Sequence, residues 1–378
     1  MPQYRLFSWG ANSHGQLGQG DIKEEELLVP REVDLSSTGL QPKNIVKIVG
    51  GAGHSLLLDN AGRVFSCGWN NKGQAGVTNA SSHFQRMAVV PEGEEIVDIA
   101  CGWDSSMALT KSGELFTWGS NSHGQLGLTH AAIGAKVNKL SKVEFAKPVQ
   151  RISMGLRHSA VITKDARVFV CGAATKGQLG IDFRGGRYSG QFVEVSQIQS
   201  ARYVACGQHH TVVVTSDNEI FAWGDNKYGQ LGVDPAIRAL SLTPVKINNY
   251  EGTMSIRGIF CGWTHSAVLT ADNKVFCWGR NSYGQLGRGQ SVQAVETWEA
   301  TVPVTSTSIQ QLAVGSEHNV ALLDDKTVVS WGWNEHGNCG NGSVENVFVP
   351  TKIVSLELKS VLIGTGAGHS FAVALTSS

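Results

Sequence analysis

Apolar runs of three to five residues, bounded by Gly, Asn, Asp or Ser, recur along the whole chain. Ile45-Val46-Lys47-Ile48-Val49, Leu56-Leu57-Leu58 and Val64-Phe65-Ser66-Cys67 form one set, with Asp59-Asn60-Ala61-Gly62 turning between the last two. Met107-Ala108-Leu109 with Leu115-Phe116-Thr117-Trp118, and Val212-Val213-Val214 with Ile220-Phe221-Ala222-Trp223, repeat the pattern. Runs this short, β-rich and flanked by turn residues predict hairpins. A fourth run, such as Thr243-Pro244-Val245-Lys246-Ile247 or Phe348-Val349-Pro350-Thr351-Lys352-Ile353, precedes the next set. Its proline cannot donate to a ladder on both sides, so this strand is expected at a sheet edge. Each unit reads as a four-stranded sheet.

A fixed grid of glycines marks the units. Gly51, Gly102, Gly155, Gly207, Gly262, Gly315 and Gly366 are each followed three residues later by His54, Ser105, His158, His210, His265, His318 and His369, a period of 51 to 55 residues. A second glycine follows fourteen residues after that position, at Gly68, Gly119, Gly172, Gly224, Gly279 and Gly332. The last copy lacks its second half, and Leu6-Phe7-Ser8-Trp9-Gly10 supplies it at the other end of the chain. Pairing the first strand with the last completes the seventh unit and leaves no open edge. Neither end carries the polar capping repeat that an open solenoid needs. The expectation is an all-β fold: a seven-bladed β-propeller of four-stranded blades, spanning 1–378 as one domain, with one blade shared between residues 1–18 and the C-terminal segment.

Composition narrows the functional classes. Lys plus Arg equals Asp plus Glu at 31 each, so no net field draws the chain to nucleic acid or an acidic membrane. No apolar run reaches membrane-spanning length, and the start does not read as a signal peptide, so cytoplasm and nucleus are the expected compartments. The seven cysteines include no Cys-x-x-Cys, which gives no zinc or dithiol motif. Cys101, Cys206 and Cys261 before the first glycine, and Cys67, Cys171 and Cys277 in the next hairpin, read as small buried hydrophobes. No metal, cofactor or catalytic residue is assigned: there is no P-loop, metalloprotease motif or spacing for a Ser-His-Asp triad.

The repeated histidines His54, His158, His210, His265, His318 and His369 are read as structural. A residue recurring in nearly every blade solves a problem common to every blade, here by bonding neighbouring backbone beneath a glycine-rich loop. Trp9, Trp118, Trp223, Trp278 and Trp331 read as packing residues between blades. The positions that differ between otherwise equivalent loops are where a partner can be recognised. Between first glycine and histidine these hold Trp103, Asp104, Arg157, His209, Trp263 and Glu317 among small residues. They are expected to ring one end of the axis as an interface, with tryptophan and arginine as anchors.

A second motif follows the second glycine: Asn121-Ser122-His123-Gly124-Gln125-Leu126-Gly127, Asn226-Lys227-Tyr228-Gly229-Gln230-Leu231-Gly232 and Asn281-Ser282-Tyr283-Gly284-Gln285-Leu286-Gly287, with looser copies elsewhere. With Gly-x-x-His, this resembles the regulator of chromosome condensation repeat family over essentially the whole chain. Cys101-Gly102-Trp103-Asp104, Gly155-Leu156-Arg157-His158, Gly262-Trp263-Thr264-His265 and Gly332-Trp333-Asn334-Glu335-His336-Gly337 are most similar to its secretion-regulating guanine nucleotide exchange branch.

The resemblance implies a protein-interaction propeller that exchanges guanine nucleotide on a small GTPase linked to secretion, with secretory machinery proteins as further partners. The alternative is a non-catalytic scaffold. Asp104 resembles an acidic member of the Ran exchange factor's contact set, and Gln208-His209-His210 its Gln-His-His loop. That loop stands one copy earlier here, and Arg157 replaces an acid, which argues against Ran itself. The family's wedge is matched by a candidate loop containing Arg184, Arg187 and Tyr188; the segment Leu128 to Val149 is a second candidate projection. Plant UV-B receptors share the repeat, but Trp103 and Trp263 lack their accompanying arginine, which argues against a light sensor.

Overall fold

In the computed structural model, residues 3–87, 94–182, 186–247, 255–289, 308–353, 355–356 and 359–376 are described. They form seven radial sheets in a ring. Blade 1 runs from the axis outward as Ile45–Gly50, His54–Asp59, Val64–Gly68 and Ser81–Arg86, each strand antiparallel to the next. Blade 2 comprises Ile96–Cys101, Ser105–Thr110, Leu115–Ser120 and Lys136–Lys142. Blade 3 comprises Val149–Met154, His158–Thr163, Val168–Ala173 and Tyr188–Glu194. Blade 4 comprises Ala201–Cys206, His210–Thr215, Ile220–Asp225 and Leu240–Lys246. Three strands of blade 5, Ile256–Cys261, His265–Thr270 and Val275–Gly279, fall among the described residues. Blade 6 comprises Ile309–Val314, His318–Leu323, Val328–Gly332 and Val347–Lys352.

Blade 7 draws on both ends of the chain. Lys359–Thr365 and His369–Thr376 supply its inner strands, Gln3–Ala11 and Glu26–Glu32 its outer ones. Gln3–Ala11 pairs antiparallel with His369–Thr376 in unbroken register from Gln3 opposite Thr376 to Gly10 opposite His369. One parallel bridge, Thr365 to Val49, ties blade 7 to blade 1. The proline-bearing runs lie outermost, at Leu240–Lys246 and Val347–Lys352, as the missing amide requires. The segment Leu128 to Val149 does not project as a free insertion. Its centre, Lys136–Lys142, is the outer strand of blade 2, with Val137 and Leu140 packed against buried neighbours.

The core is a set of layers between blades. Each apolar cluster joins the facing sides of two adjacent sheets; Met107, Leu109 and Leu115 of blade 2, for instance, pack on Val149, Ile152 and Val161 of blade 3. Equivalent layers fill the other blade interfaces. The second strand of blades 1 to 6 is therefore buried along its whole length, and that of blade 7 along all but its last two residues, because each meets a neighbouring blade on both faces.

Polar links register these layers. His54 Nε2 lies 2.8 Å from Ser106 Oγ of the next blade, and Ser106 Oγ donates to Gln74 O at 2.8 Å. The hydroxyl hydrogen is thereby used, so Ser106 accepts from His54 and the imidazole carries its proton on Nε2. The same step joins His158 to Thr211, His210 to Ser266, His318 to Ser370 and His369 to Ser55. At His265 the acceptor is Asn319 Oδ1, at 3.1 Å. All six histidines are buried, and their partner is a side chain of the next blade and not the adjacent backbone that was expected.

The tryptophans bond across the same seams. Trp118 Nε1 donates to Gln74 O of blade 1, Trp223 to Gln178 O, Trp278 to Gln230 O, Trp331 to Gln285 O and Trp9 to Asn338 O, all at 2.9–3.0 Å. The glycines follow from this packing. A Cβ on Gly262 would stand 2.2 Å from the His265 ring, and one on Gly279, at φ +107°, 2.5 Å from Thr264 O.

Candidate functional site

Antiparallel alternation puts two loops of every blade at one end of the ring. The Gly-x-x-His loop closes by a backbone bond from the first glycine to the fourth residue, such as Gly262 N to His265 O at 2.9 Å. It then bonds the loop of the next blade: Trp263 N donates to Ser316 O, Ser316 N to Ala367 O and Ala367 N to Gly51 O, at 2.6–3.0 Å. These axial loops are thus a hydrogen-bonded collar. Outside it lies the Asn-x-x-Gly-Gln-Leu-Gly loop, held by its own side chains. In blade 4, Asn226 Oδ1 accepts from Leu231 N and Gln230 Oε1 from Tyr228 N, while Leu231 is buried. The two residues between Asn and Gly are fixed in place and turned outward.

The variable residues meet on this end. Trp103 of blade 2 and Trp263 of blade 5 belong to blades that do not adjoin, and their rings touch across the axis with centroids 5.2 Å apart. They roof a small cavity of about 130 Å³, with Leu156, Ser316 and Ala367 in its wall and Cys101, Cys206 and Cys261 beneath. Below lies a channel of about 390 Å³ lined by the inner strands. None of the seven cysteines is in a disulfide. Cys67, Cys171, Cys206, Cys277 and Cys339 are buried, and burial pushes the Cys206 thiol up to about 12.

Asp104 and His209 are half-buried beside this roof, and Arg157 is exposed. Burial raises the Asp104 carboxyl above the usual range, against a hydrogen bond from Ser120 and the nearby charges of Lys72 and Arg157. Burial lowers the His209 imidazole; Asp225 opposes this, while Lys176 and Arg157 reinforce it. Burial likewise lowers His123, with Arg157 and Arg187 adding to the effect. Arg187 and Tyr188 are exposed at the start of the outer strand of blade 3, and Arg187 O accepts from Ala174 N. Arg184 lies outside the described residues.

Glu317 departs from the expected rim. Only 6% of it is exposed, and its carboxylate accepts from Thr264 Oγ1 at 2.7 and 2.8 Å and from Gln285 Nε2 at 2.8 Å. It stands 3.8 Å from His265 Nδ1. The side chain turns inward because blade 5 offers two donors there, so it joins blades 5 and 6 and has no free face for a partner.

Residues that the loop comparison passed over complete the surface. The position after the second glycine holds Trp69, Asp225, Arg280 and Trp333, and the outward pair of the second motif adds His14, His123, Tyr228, Tyr283 and His336. Arg280 lies between Tyr228 and Tyr283, its guanidinium carbon 4.8 and 4.3 Å from their ring centres. His14 packs on Trp69 and His336 on Trp333, with centroids 4.6 and 5.3 Å apart. The signal was the same variability within a constant frame, applied to the second motif as well as the first.

A closed ring with one end built from constant glycine-rich frames and variable aromatic and charged residues defines a propeller made for macromolecular contact. The chain belongs to the RCC1-like domain family, which matches residues 5–372. It is 35% identical to the secretion-regulating guanine nucleotide exchange factor of Mus musculus, over 97% of this chain and 83% of that protein. It is 31% identical to the ultraviolet-B receptor UVR8 of Arabidopsis thaliana, over 90% of this chain and 76% of that protein. Among solved structures, yeast RCC1 (Prp20), captured with Kap60, superposes with a TM-score of 0.87 at 25% identity, over 100% of this chain and 90% of that one.

Proposed function

We propose that the protein is a guanine nucleotide exchange factor for a small GTPase and that the Gly-x-x-His end of the propeller is its GTPase-binding face. The observation that carries this is the 35% identity, over 97% of the chain, to a secretion-regulating guanine nucleotide exchange factor. The Trp103–Trp263 roof, with Asp104, Arg157 and His209 around it, supports the choice of face. Two large aromatic rings on a rigid hydrogen-bonded collar are pre-organised anchors, and charged neighbours set orientation.

Exchange of this kind requires no bond chemistry from the propeller. It binds the nucleotide-free GTPase more tightly than the loaded form, and that difference loosens the loops and Mg²⁺ that retain the nucleotide. Every tenfold difference in affinity corresponds to about 1.4 kcal/mol of coupling between nucleotide and exchange factor. A role in secretion and contact with secretory machinery proteins belong to the same reading, as does action in the cytoplasm or nucleus.

The test is titration of purified small GTPases, each in GDP-loaded and nucleotide-stripped form. Exchange predicts at least tenfold tighter binding of the stripped form of one GTPase. Equal affinity for both forms would leave a scaffold and contradict exchange.

A further inference from the structure

The chain as a whole is neutral, yet charge is unevenly placed across the Gly-x-x-His end. Over blades 3 to 5 it carries Arg157, Lys176, Arg187 and Lys227, all exposed, together with the half-buried Arg280, against the half-buried Asp225 and Asp234 and the exposed Asp182. None of these five cations is in an ion pair among the described residues, whereas Arg5 pairs with Glu32 and Lys246 with Glu219 elsewhere. Backbone bonds knit the first three together: Ala173 N donates to Arg157 O, Ala174 N donates to Arg187 O, and Lys176 is two residues further on. Over blades 6 and 7 the same end carries exposed Asp21, Glu24, Glu25, Glu335 and Glu345, against Lys23 and the Arg31 that pairs with Glu24. Cations are in excess on one half of this face and carboxylates on the other.

Arg280 adds geometry to the basic half. Stacking between two tyrosines fixes the guanidinium plane, Nε donates to Ser282 Oγ, and the outer edge has no protein partner among the described residues. A held plane with a free fork matches the two oxygens of a carboxylate.

We propose that the blade 3–5 half of this face docks an acidic surface of a protein partner, with Arg280 taking one of its carboxylates, while the acidic half fixes the partner's orientation. This rests on the reading of this end as the partner face. A protein is the occupant because a nucleic acid or an anionic membrane would present negative charge to both halves, and blades 6 and 7 would repel it. Opposed half-faces also steer encounter and reject a partner rotated by half a turn.

The test uses the intact protein and a fluorescein-labelled oligoglutamate peptide as probe, with single-stranded DNA and phosphatidylserine vesicles as competing probes. The peptide should bind, and more weakly as salt rises. Joint Arg157→Glu, Lys176→Glu and Arg187→Glu should weaken it at least tenfold. Arg280→Lys, which keeps the charge and loses the fork, should weaken it about threefold. Arg202→Glu, on the inner strand of blade 4 toward the opposite end, should leave binding unchanged, and melting curves of all variants should match that of the native protein. Full binding by the triple variant, full binding by Arg280→Lys, or binding of DNA or vesicles in place of the peptide would each overturn the proposal. The peptide assay contains no GTPase, so the two readings fail separately: peptide binding by a protein that fails the GTPase titration would sink the exchange reading alone, and success in that titration without peptide binding would sink this one.

Discussion

Trp103 and Trp263 meet across the propeller axis, ring centroids 5.2 Å apart and planes tilted by 43°, although they come from blades 2 and 5. Blades this far apart share no layer of core, so the contact exists only because the ring closes and turns both loops inward. It converts two solitary loop residues into one aromatic surface at the centre of the variable end.

The two rings should therefore behave as a unit. Trp103→Ala alone is expected to weaken partner binding nearly as much as Trp103→Ala with Trp263→Ala, by about 2 kcal/mol or more, since each ring holds the other. Loss of their mutual contact should cost the fold only about 1 kcal/mol. Titration of both variants against the partner, with melting curves alongside, checks this; additive losses would show two independent contacts.

The histidine belt makes a paired stability prediction. His318→Ala removes the donor that Ser370 accepts at 3.0 Å in a fully buried seam, and should destabilise by about 1–3 kcal/mol. Ser105 fills the equivalent slot in blade 2, and its buried hydroxyl has no hydrogen-bond partner among the described residues. Ser105→Ala should therefore change stability by less than about 0.5 kcal/mol. Urea unfolding measures both, and equal losses would refute the belt as a source of stability.

Acid should unfold the ring through the same residues. Burial lowers His54, His158, His210, His318 and His369 from 6.5 to about 3. The unfolded chain takes up protons that these folded sites refuse. Their contribution is complete above about pH 6.5 and declines as pH falls toward 3, by about 1.4 kcal/mol per pH unit for each histidine. The melting temperature should be flat from about pH 7 to 8 and drop steeply between about pH 6 and 4. A flat profile across that lower window would contradict neutral buried imidazoles.

Closure is testable at the chain's first strand. Deleting residues 1–10 removes the partner of His369–Thr376 and exposes an edge. Lower melting temperature or self-association in sedimentation is the expected result. A stable monomer would show that the ring does not depend on this pairing.

Much of this architecture was readable from residue spacing. Leu6 to Gly10 completes the unit begun at His369 because each glycine in the grid is held by contact: Gly262 by the His265 ring, Gly279 by its positive φ. A side chain at such positions would collide or be strained, so the glycine grid stays legible in the spacing. The Trp103–Trp263 contact was not readable, because spacing places both residues near the axis without saying how far each reaches. Glu317 was misplaced on the rim for a related reason. Its burial is decided by Thr264 and Gln285 on the neighbouring blade, two residues that nothing local to Glu317 predicts. Arg280 escaped notice because its role comes from Tyr228 of one blade and Tyr283 of another.

The most direct test of the central claim is the rate of labelled GDP release from the cognate small GTPase, measured with substoichiometric native protein and with the folded Trp103→Ala, Trp263→Ala variant. The account predicts that the native protein accelerates release over many turnovers and that the variant, melting close to the native temperature, does not. No acceleration of any GTPase by the native protein, or full acceleration by the variant, would contradict it.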